Sequence, residues 1–122
     1  MSNKIIYRSN KQSLINKSVD SVTGSEFWSM EGKKVQFTRF DVPANTNFPN
    51  HKHDNEQNIY VLEGELFFQS EGLVYKLSKG DCIVAPGNID HEVWTERSSA
   101  KAIDAWSPIN HVYADTKKSI NK

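Results

Sequence analysis

The chain lacks several features that would indicate particular kinds of protein. It has one cysteine in 122 residues, Cys82, so it cannot form an internal disulfide bond. No apolar run approaches the roughly 18 residues that a membrane span needs. The charges also balance, with 15 Lys and Arg against 15 Asp and Glu, which leaves no net field to attract nucleic acid or an anionic membrane. We therefore expect a cytoplasmic protein that binds neither nucleic acid nor membrane.

Short β-type segments make up most of the sequence. A length of 122 residues suits one domain. From residue 33 onward, runs rich in Val, Ile, Phe, Tyr and Trp alternate with turn residues; the runs are KKVQFTRFDV, NIYVLEGELFFQS, LVYKL, DCIVA, HEVWTE and KAIDAW. The segment PANTNFPN is one of the connections. This pattern predicts an all-β sandwich or barrel, in which Cys82 fills the core.

We divide the chain into three parts, which are an N-terminal strand or arm segment (1–32), the barrel (33–113) and a polar tail (114–122). The first part contains two β-type pieces, KIIY and EFW, that a barrel of this size need not enclose. Such pieces can pair across the edge of a second subunit, so we expect a homodimer.

Two histidines one residue apart form the first candidate site. Side chains of a strand alternate between its faces, so His51 and His53 point the same way. If the pleat continues through the next residues, Gln57 shares their face and Glu56 points away. A pair of surface histidines in a loop is the plainer interpretation of this motif by itself.

A second segment, GDCIVAPGNIDHEVW, adds a further candidate ligand. Gly80 marks a turn, a β-run follows, and Pro86 and Gly87 make a second turn. His91 then opens another strand, where a barrel can bring it to a site begun elsewhere. The two segments together are far more specific than either one alone.

These residues resemble the motifs of the cupin family. The first cupin motif, G(X)5HXH(X)3,4E(X)6G, is similar to HKHDNEQNIYVLEG, with Gln57 at the glutamate position and Gly64 at its end. Ala44 or Asn45 stands where the motif has its leading glycine. The second motif, G(X)5PXG(X)2H(X)3N, is similar to residues 80–95. Its inner glycine falls one place early, at Gly87, and Thr95 replaces its asparagine.

The cupin resemblance implies a double-stranded β-helix, or jelly-roll barrel, that binds one divalent metal ion. The implied ligands are His51, His53, Gln57 and His91. Zinc, nickel, iron and manganese all accept such ligands. A glutamine in place of the glutamate leaves the ion its full charge, which favours polarising a substrate oxygen over oxygenation. The alternative is that Gln57 only forms hydrogen bonds and the site holds no metal.

Within the cupins, EQNIYVLEGELFF and DAWSP are similar to the small pectin-degradation group typified by KdgF, which linearises 4,5-unsaturated uronates. Asp104 and Trp106 share strand parity, so both can line the barrel mouth, Asp104 for proton transfer and Trp106 for stacking on a ring. Both residues can equally be structural, Trp106 as core and Asp104 as a turn cap. The group has an arginine where this chain has Asn110. Since a uronate carboxylate needs a cation, Arg39 is the substitute that we consider, and Arg39 and Asn110 are our substrate-binding candidates.

The leading hypothesis is therefore a metal-dependent isomerase or lyase that acts on a small sugar-derived molecule. Two alternatives stay open, a metal-dependent dioxygenase and a cupin that binds a small ligand without catalysis. Oxygen consumption would identify the dioxygenase, and absence of turnover would identify the binding protein.

Overall fold

A computed structural model describes residues 17–114, and all regular structure in this range is β. It has nine strands, which are β1 (Lys17–Val19), β2 (Glu26–Glu31), β3 (Gln36–Val42), β4 (Asn47–His51), β5 (Glu56–Ser70), β6 (Leu73–Ser78), β7 (Cys82–Ala85), β8 (His91–Trp94) and β9 (Ala100–Ser107). They pair antiparallel in the order β1-β2-β3-β9-β5-β8-β4, while β6 and β7 also pair with β5. The all-β jelly-roll prediction is confirmed.

Strand β5 is the central element of the barrel. Its first part pairs with β7 and β9, and its last residues pair with β6 and β8. The register with β9 shifts between Val61 and Glu63, where the strand passes from one half of the barrel to the other. Gly64 follows with φ +75°, and a Cβ there would overlap the carbonyl oxygen of Ser99. The glycine therefore permits the close approach of β5 and β9.

Two apolar clusters fill the interior. The larger cluster surrounds β5 and consists of Ile59, Val61, Leu66, Phe68, Leu77, Ala85, Val93, Ala100 and Ala102. The smaller cluster consists of Phe40, Val42 and Trp106, with Phe27, Phe48 and Tyr113 packed against it. Alternation along the strands produces both clusters. Every second residue is buried in β3 and β9, and in β5 the alternation holds on either side of residues 62–65.

Of the seven strands after residue 33, the sequence predicted six and missed β4, which lies in the segment assigned to a connection. Pro49 and the neighbouring asparagines are typical of turns. Within residues 17–114, strand β4 lies at one end of the strand order and pairs only with β8, with a register shift between Phe48 and His51. Proline is tolerated on such an edge strand because no neighbour needs its missing N–H group.

The departures from the cupin motifs have structural explanations. Asn45 and Asn88 occupy the positions of two motif glycines, and they have φ values of 55° and 62°. Asparagine is, after glycine, among the residues that best tolerate this left-handed conformation. Thr95 replaces the motif asparagine; its hydroxyl accepts a hydrogen bond from the Thr46 N–H group and donates one to the carbonyl of Pro43.

The described part of the N-terminal segment belongs to the same sheet as the barrel. EFW lies in β2, which pairs with β1 and β3 of its own chain, while KIIY lies outside the described residues. All but Ala114 of the predicted polar tail lies outside them too, and the domain boundaries stay predictions. The prediction that Cys82 is buried is wrong: it is exposed, since β7 turns Ile83 and Ala85 inward instead. Residues 17–114 contain no helix able to cross a membrane.

Candidate metal centre

Three histidines converge at one end of the barrel. His51 ends β4 and His91 begins β8, and the two residues lie directly opposite each other in the sheet. His53 follows in the loop to β5. The ring centroids are 4.5 Å apart for His51 and His91, 4.9 Å for His53 and His91, and 5.3 Å for His51 and His53. One ring nitrogen from each lies within 4.8 Å of the others, so the three are positioned to bind a metal ion.

Backbone carbonyls orient all three imidazoles in the same way. Each Nδ1 lies within hydrogen-bonding distance of a carbonyl oxygen two residues away, at 2.7 Å from Pro49, 3.0 Å from Asn55 and 3.0 Å from Ile89. A carbonyl can only accept, so Nδ1 carries the hydrogen and Nε2 keeps its lone pair. The Nε2 atoms of His53 and His91 are buried and have no partner in the described part of the chain. Metal-binding histidines commonly have this arrangement.

Gln57 supplies a fourth donor atom to the same cavity. Its Nε2 donates a hydrogen bond of 2.7 Å to Oδ2 of Asp104, which leaves Oε1 as a buried acceptor without a partner among residues 17–114. Glu56 is exposed and points away. The pleat does not continue through residues 52–55, which form a loop. Alternation within β5 is what turns Gln57 inward, together with Ile59 and Val61.

These four residues fit a divalent ion. They offer neutral imidazole nitrogens and an amide oxygen, and three of the four donor atoms are buried without a partner among the described residues. Buried polar atoms are normally paired, so a group that binds them is expected here. Burial lowers the pKa of His91 below 6.5, and the nearby His51 and His53 lower it further against the opposing hydrogen bond to Ile89. The neutral ring that results is the form that binds metal.

Asp104 lies beside these ligands on β9. It is buried, and burial raises the pKa of its carboxyl group to about 7, although the hydrogen bond from Gln57 acts in the opposite direction. The group therefore exchanges a proton near neutral pH, as a general acid or base must.

Trp106 combines the two roles considered for it. It is buried in the smaller apolar cluster, and its Nε1 donates a 3.1 Å hydrogen bond to Oγ1 of Thr38. Its ring also lies 5.5 Å from that of His53 and lines the cavity of about 710 Å³ that contains the candidate ligands and Asp104. Trp106 therefore belongs to the apolar core and also forms part of the cavity wall.

The structure does not bring Arg39 into this cavity. The inward positions of β3 belong to its neighbours Thr38 and Phe40, so Arg39 faces outward. There its guanidinium lies 5.4 Å from the centroid of a Trp28 ring and 3.7 Å from the carboxylate of Asp41. The expectation that Arg39 reaches the site is therefore wrong.

Asn110 does line the cavity, and Gln36 holds it there by accepting a 2.7 Å hydrogen bond from its backbone N–H. The cation among the cavity residues is Lys52. Sequence reasoning missed Lys52 because it assumed one strand through His51 and His53. In a strand, the side chain between two inward-facing residues points outward. The chain leaves β4 at His51, however, so this alternation does not apply to Lys52.

Comparison with known proteins identifies the family and supports the fold. Residues 38–106 match the Cupin domain family, and the chain belongs to that family. The fold is similar to that of KdgF from Halomonas sp., with a TM-score of 0.69 and 20% identity over 81% of this chain and 93% of that one. It is also similar to an RmlC-like cupin from Shewanella frigidimarina NCIMB 400, with a TM-score of 0.77 and 21% identity over 93% of this chain and 100% of that one.

A sequence relative is the acireductone dioxygenase of Tuber melanosporum, which is 33% identical over 75 residues. This match covers 52% of the chain and 43% of the dioxygenase, so it spans less than half of that enzyme. The two structural similarities concern the fold alone at their level of identity.

Proposed function

We propose that this cupin is a metal-dependent enzyme that acts on a small sugar-derived substrate. The observation that carries the proposal is the convergence of three histidines and Gln57 on one cavity, with the buried carboxyl group of Asp104 hydrogen-bonded to Gln57. The ligands of one zinc, nickel, iron or manganese ion would be His51, His53, Gln57 and His91. A bound divalent ion supplies a Lewis acid that polarises a substrate oxygen.

The specific reaction that we infer is the ring opening of a 4,5-unsaturated uronate. The anomeric hydroxyl loses a proton, the bond from C1 to the ring oxygen breaks, and C4 gains a proton to give the open-chain 4-deoxy-5-keto uronate. The product is an isomer of the substrate, so no oxidant or reductant is needed. Asp104 would move the proton and Trp106 would support the ring. Lys52, which lines the cavity, would attract the carboxylate in the role that was expected of Arg39.

Proton NMR of the substrate alkene signal tests this reaction. Zinc-, nickel-, iron- and manganese-loaded protein should each be compared with the spontaneous rate. Asp104→Asn keeps the size of the side chain but removes the base, so the rate should fall by ~10²-fold while metal binding survives. Asp41→Asn, on the outer face of β3, is the matched control and should retain full activity. No turnover in any metal-loaded form would reject this substrate class and leave the metal site untouched.

A dioxygenase is the second candidate, since the sequence relative in Tuber melanosporum has that activity. Three histidines and an oxygen donor also suit an iron or nickel ion. Oxygen uptake by the iron-loaded protein with an enediol or diketone substrate would favour this candidate. Turnover of an unsaturated uronate without oxygen uptake would exclude it for that substrate.

A further inference from the structure

Aromatic rings extend from the candidate metal centre along one side of the cavity. Trp106 lies beside His53, Tyr113 stacks on Trp106 at 5.7 Å, and Phe40 meets Tyr113 edge to face at 5.1 Å. The centroid of Phe48 is 6.0 Å from that of Phe40. With Phe27, which is 5.1 Å from Tyr113, these residues all line the cavity. We call Phe27, Phe40, Phe48, Trp106 and Tyr113 the aromatic wall.

The polar groups of the aromatic wall already have partners. The indole N–H of Trp106 donates to Thr38, and the hydroxyl of Tyr113 donates to Oδ2 of Asp20 at 3.4 Å. Aliphatic side chains complete the apolar lining, namely Val42, Ile59, Leu66, Val93 and Ala102. A ligand hydroxyl against this surface would lose water without gaining a hydrogen bond, at a cost of about 1–3 kcal/mol.

The cavity is also larger than a metal ion with its water ligands requires. Its volume of about 710 Å³ lies in the usual range for binding small organic molecules. Phe27 and Tyr113 lie outside residues 38–106, the part that matches the cupin family. Two of the five rings of the aromatic wall therefore come from the segments that flank the matched region.

We propose that the cavity binds an amphipathic small molecule. Its oxygen-bearing head would lie at the metal centre, and its apolar alkyl or aryl body would lie along the aromatic wall. This inference rests on the proposed function and narrows its substrate class. A sugar hydroxylated at every carbon is a poor match for this apolar surface. A derivative with deoxy carbons or an apolar substituent can pack against the aromatic wall.

A series of alkyl hydroxamates tests the proposal, because the hydroxamate head binds metal and the alkyl chain can be lengthened stepwise. Affinity of the zinc-loaded protein, measured by calorimetry from acetohydroxamate to octanohydroxamate, should rise about fourfold for each methylene that reaches the wall. It should level off once the wall is covered. If all the hydroxamates bind with the same affinity, the alkyl chain contributes nothing and the proposal is wrong. Binding through the hydroxamate head alone would still confirm the metal centre.

Two phenylalanine variants locate the alkyl chain. Phe48→Gln places an amide in the wall and should reduce the gain per methylene to less than twofold. Phe37→Gln makes the same change on the outer face of β3, where Phe37 is 46% exposed, and should leave the gain unaltered. An unaltered gain in both variants would show that the chain binds elsewhere.

A readout on metal-free protein separates this proposal from the metal centre. Of the three tryptophans, Trp106 lines the cavity and Trp28 and Trp94 do not. Adding 1-hexanol should therefore shift the indole N–H signal of Trp106 in a proton–nitrogen NMR spectrum and leave the other two in place. If no divalent ion binds, the proposed function is wrong. The Trp106 signal still tests whether the aromatic wall binds an apolar molecule. Equal shifts of all three signals, or no shift of Trp106, would count against it.

Discussion

At the scale of single residues, the three histidines differ in how much the fold constrains them. His91 is buried, with 1% of its surface exposed, and its ring stacks on Phe68 at 5.5 Å, whereas His51 is exposed. Packing and the hydrogen bond to Ile89 hold the His91 ring in one orientation. A ligand that is already oriented loses little freedom on binding, so His91 should contribute strongly to metal affinity.

We expect His91→Ala to weaken zinc binding at least about tenfold, because loss of even an outer-shell partner that orients a ligand costs about 10–100-fold. Elemental analysis and calorimetric titration would measure the change. His111→Ala is the matched control, because His111 is exposed and does not line the cavity, and it should bind about one ion per chain, like wild type. Equal affinity of the His91 variant and wild type would contradict the assignment.

The buried carboxyl group of Asp104 predicts a pH-dependent stability for the metal-free protein. Its pKa is about 7 in the folded chain and close to 3.9 when unfolded, so the folded state binds its proton more tightly. The contribution to stability is complete below about pH 4 and is lost as the pH rises towards 7.

Asp104→Asn removes this titration and still offers an oxygen to Gln57. The free energy of unfolding of wild type, relative to this variant, should therefore fall between pH 5 and pH 7 by up to ~1.4 kcal/mol per pH unit. Urea denaturation in the presence of a chelator measures it. A difference between the two proteins that stays constant over this range would show that Asp104 is ionised throughout.

At the scale of elements, the bend of β5 depends on one glycine. Gly64→Ala places a methyl group against the carbonyl of Ser99, and backbone atoms cannot move aside as a flexible side chain does. Gly72 has a similar φ of +79° in the turn between β5 and β6, but a Cβ there meets no atom within 4 Å. The comparison of Gly64→Ala with Gly72→Ala therefore separates the steric overlap from the cost of the backbone conformation.

We expect Gly72→Ala to cost about 1–2 kcal/mol, the penalty for a left-handed alanine. Gly64→Ala should cost at least ~2 kcal/mol more, because β5 and β9 must also separate. Chemical denaturation of the two variants gives both values. Similar losses would mean that the two strands have room to adjust.

At the scale of the whole molecule, we predict a homodimer. The outward faces of the sheet expose Met30, Phe37, Tyr60 and Val84, at 40–58% of their surface. The short strand β1 forms one end of the strand order, where another strand can pair with it. Light scattering at high micromolar concentration should report the mass of two chains. A single-chain mass would rule the dimer out.

The sequence by itself determined those properties that depend on residues near one another in the chain. Alternating β-branched and aromatic residues, interrupted by turns, were enough to predict an all-β barrel and six of its strands. The spacing of His51, His53 and His91 within two turn-and-strand segments identified the candidate ligands for the same reason. Gln57 was also chosen by alternation, which proved to hold within β5 although not across the loop before it.

Only the tertiary structure decided what depends on which strands become neighbours and which faces turn inward. The turn-like segment around Pro49 is a strand because it lies at an edge, where β8 is its only partner in the described part of the chain. Arg39 faces outward because its neighbours in β3 occupy the inward face of that strand. Lys52 lines the cavity because it lies in the loop after His51, where strand alternation does not apply. The aromatic wall joins Phe27 and Tyr113 from opposite ends of the described chain. No local pattern encodes that contact, since it arises from packing both ends of the chain against the same barrel.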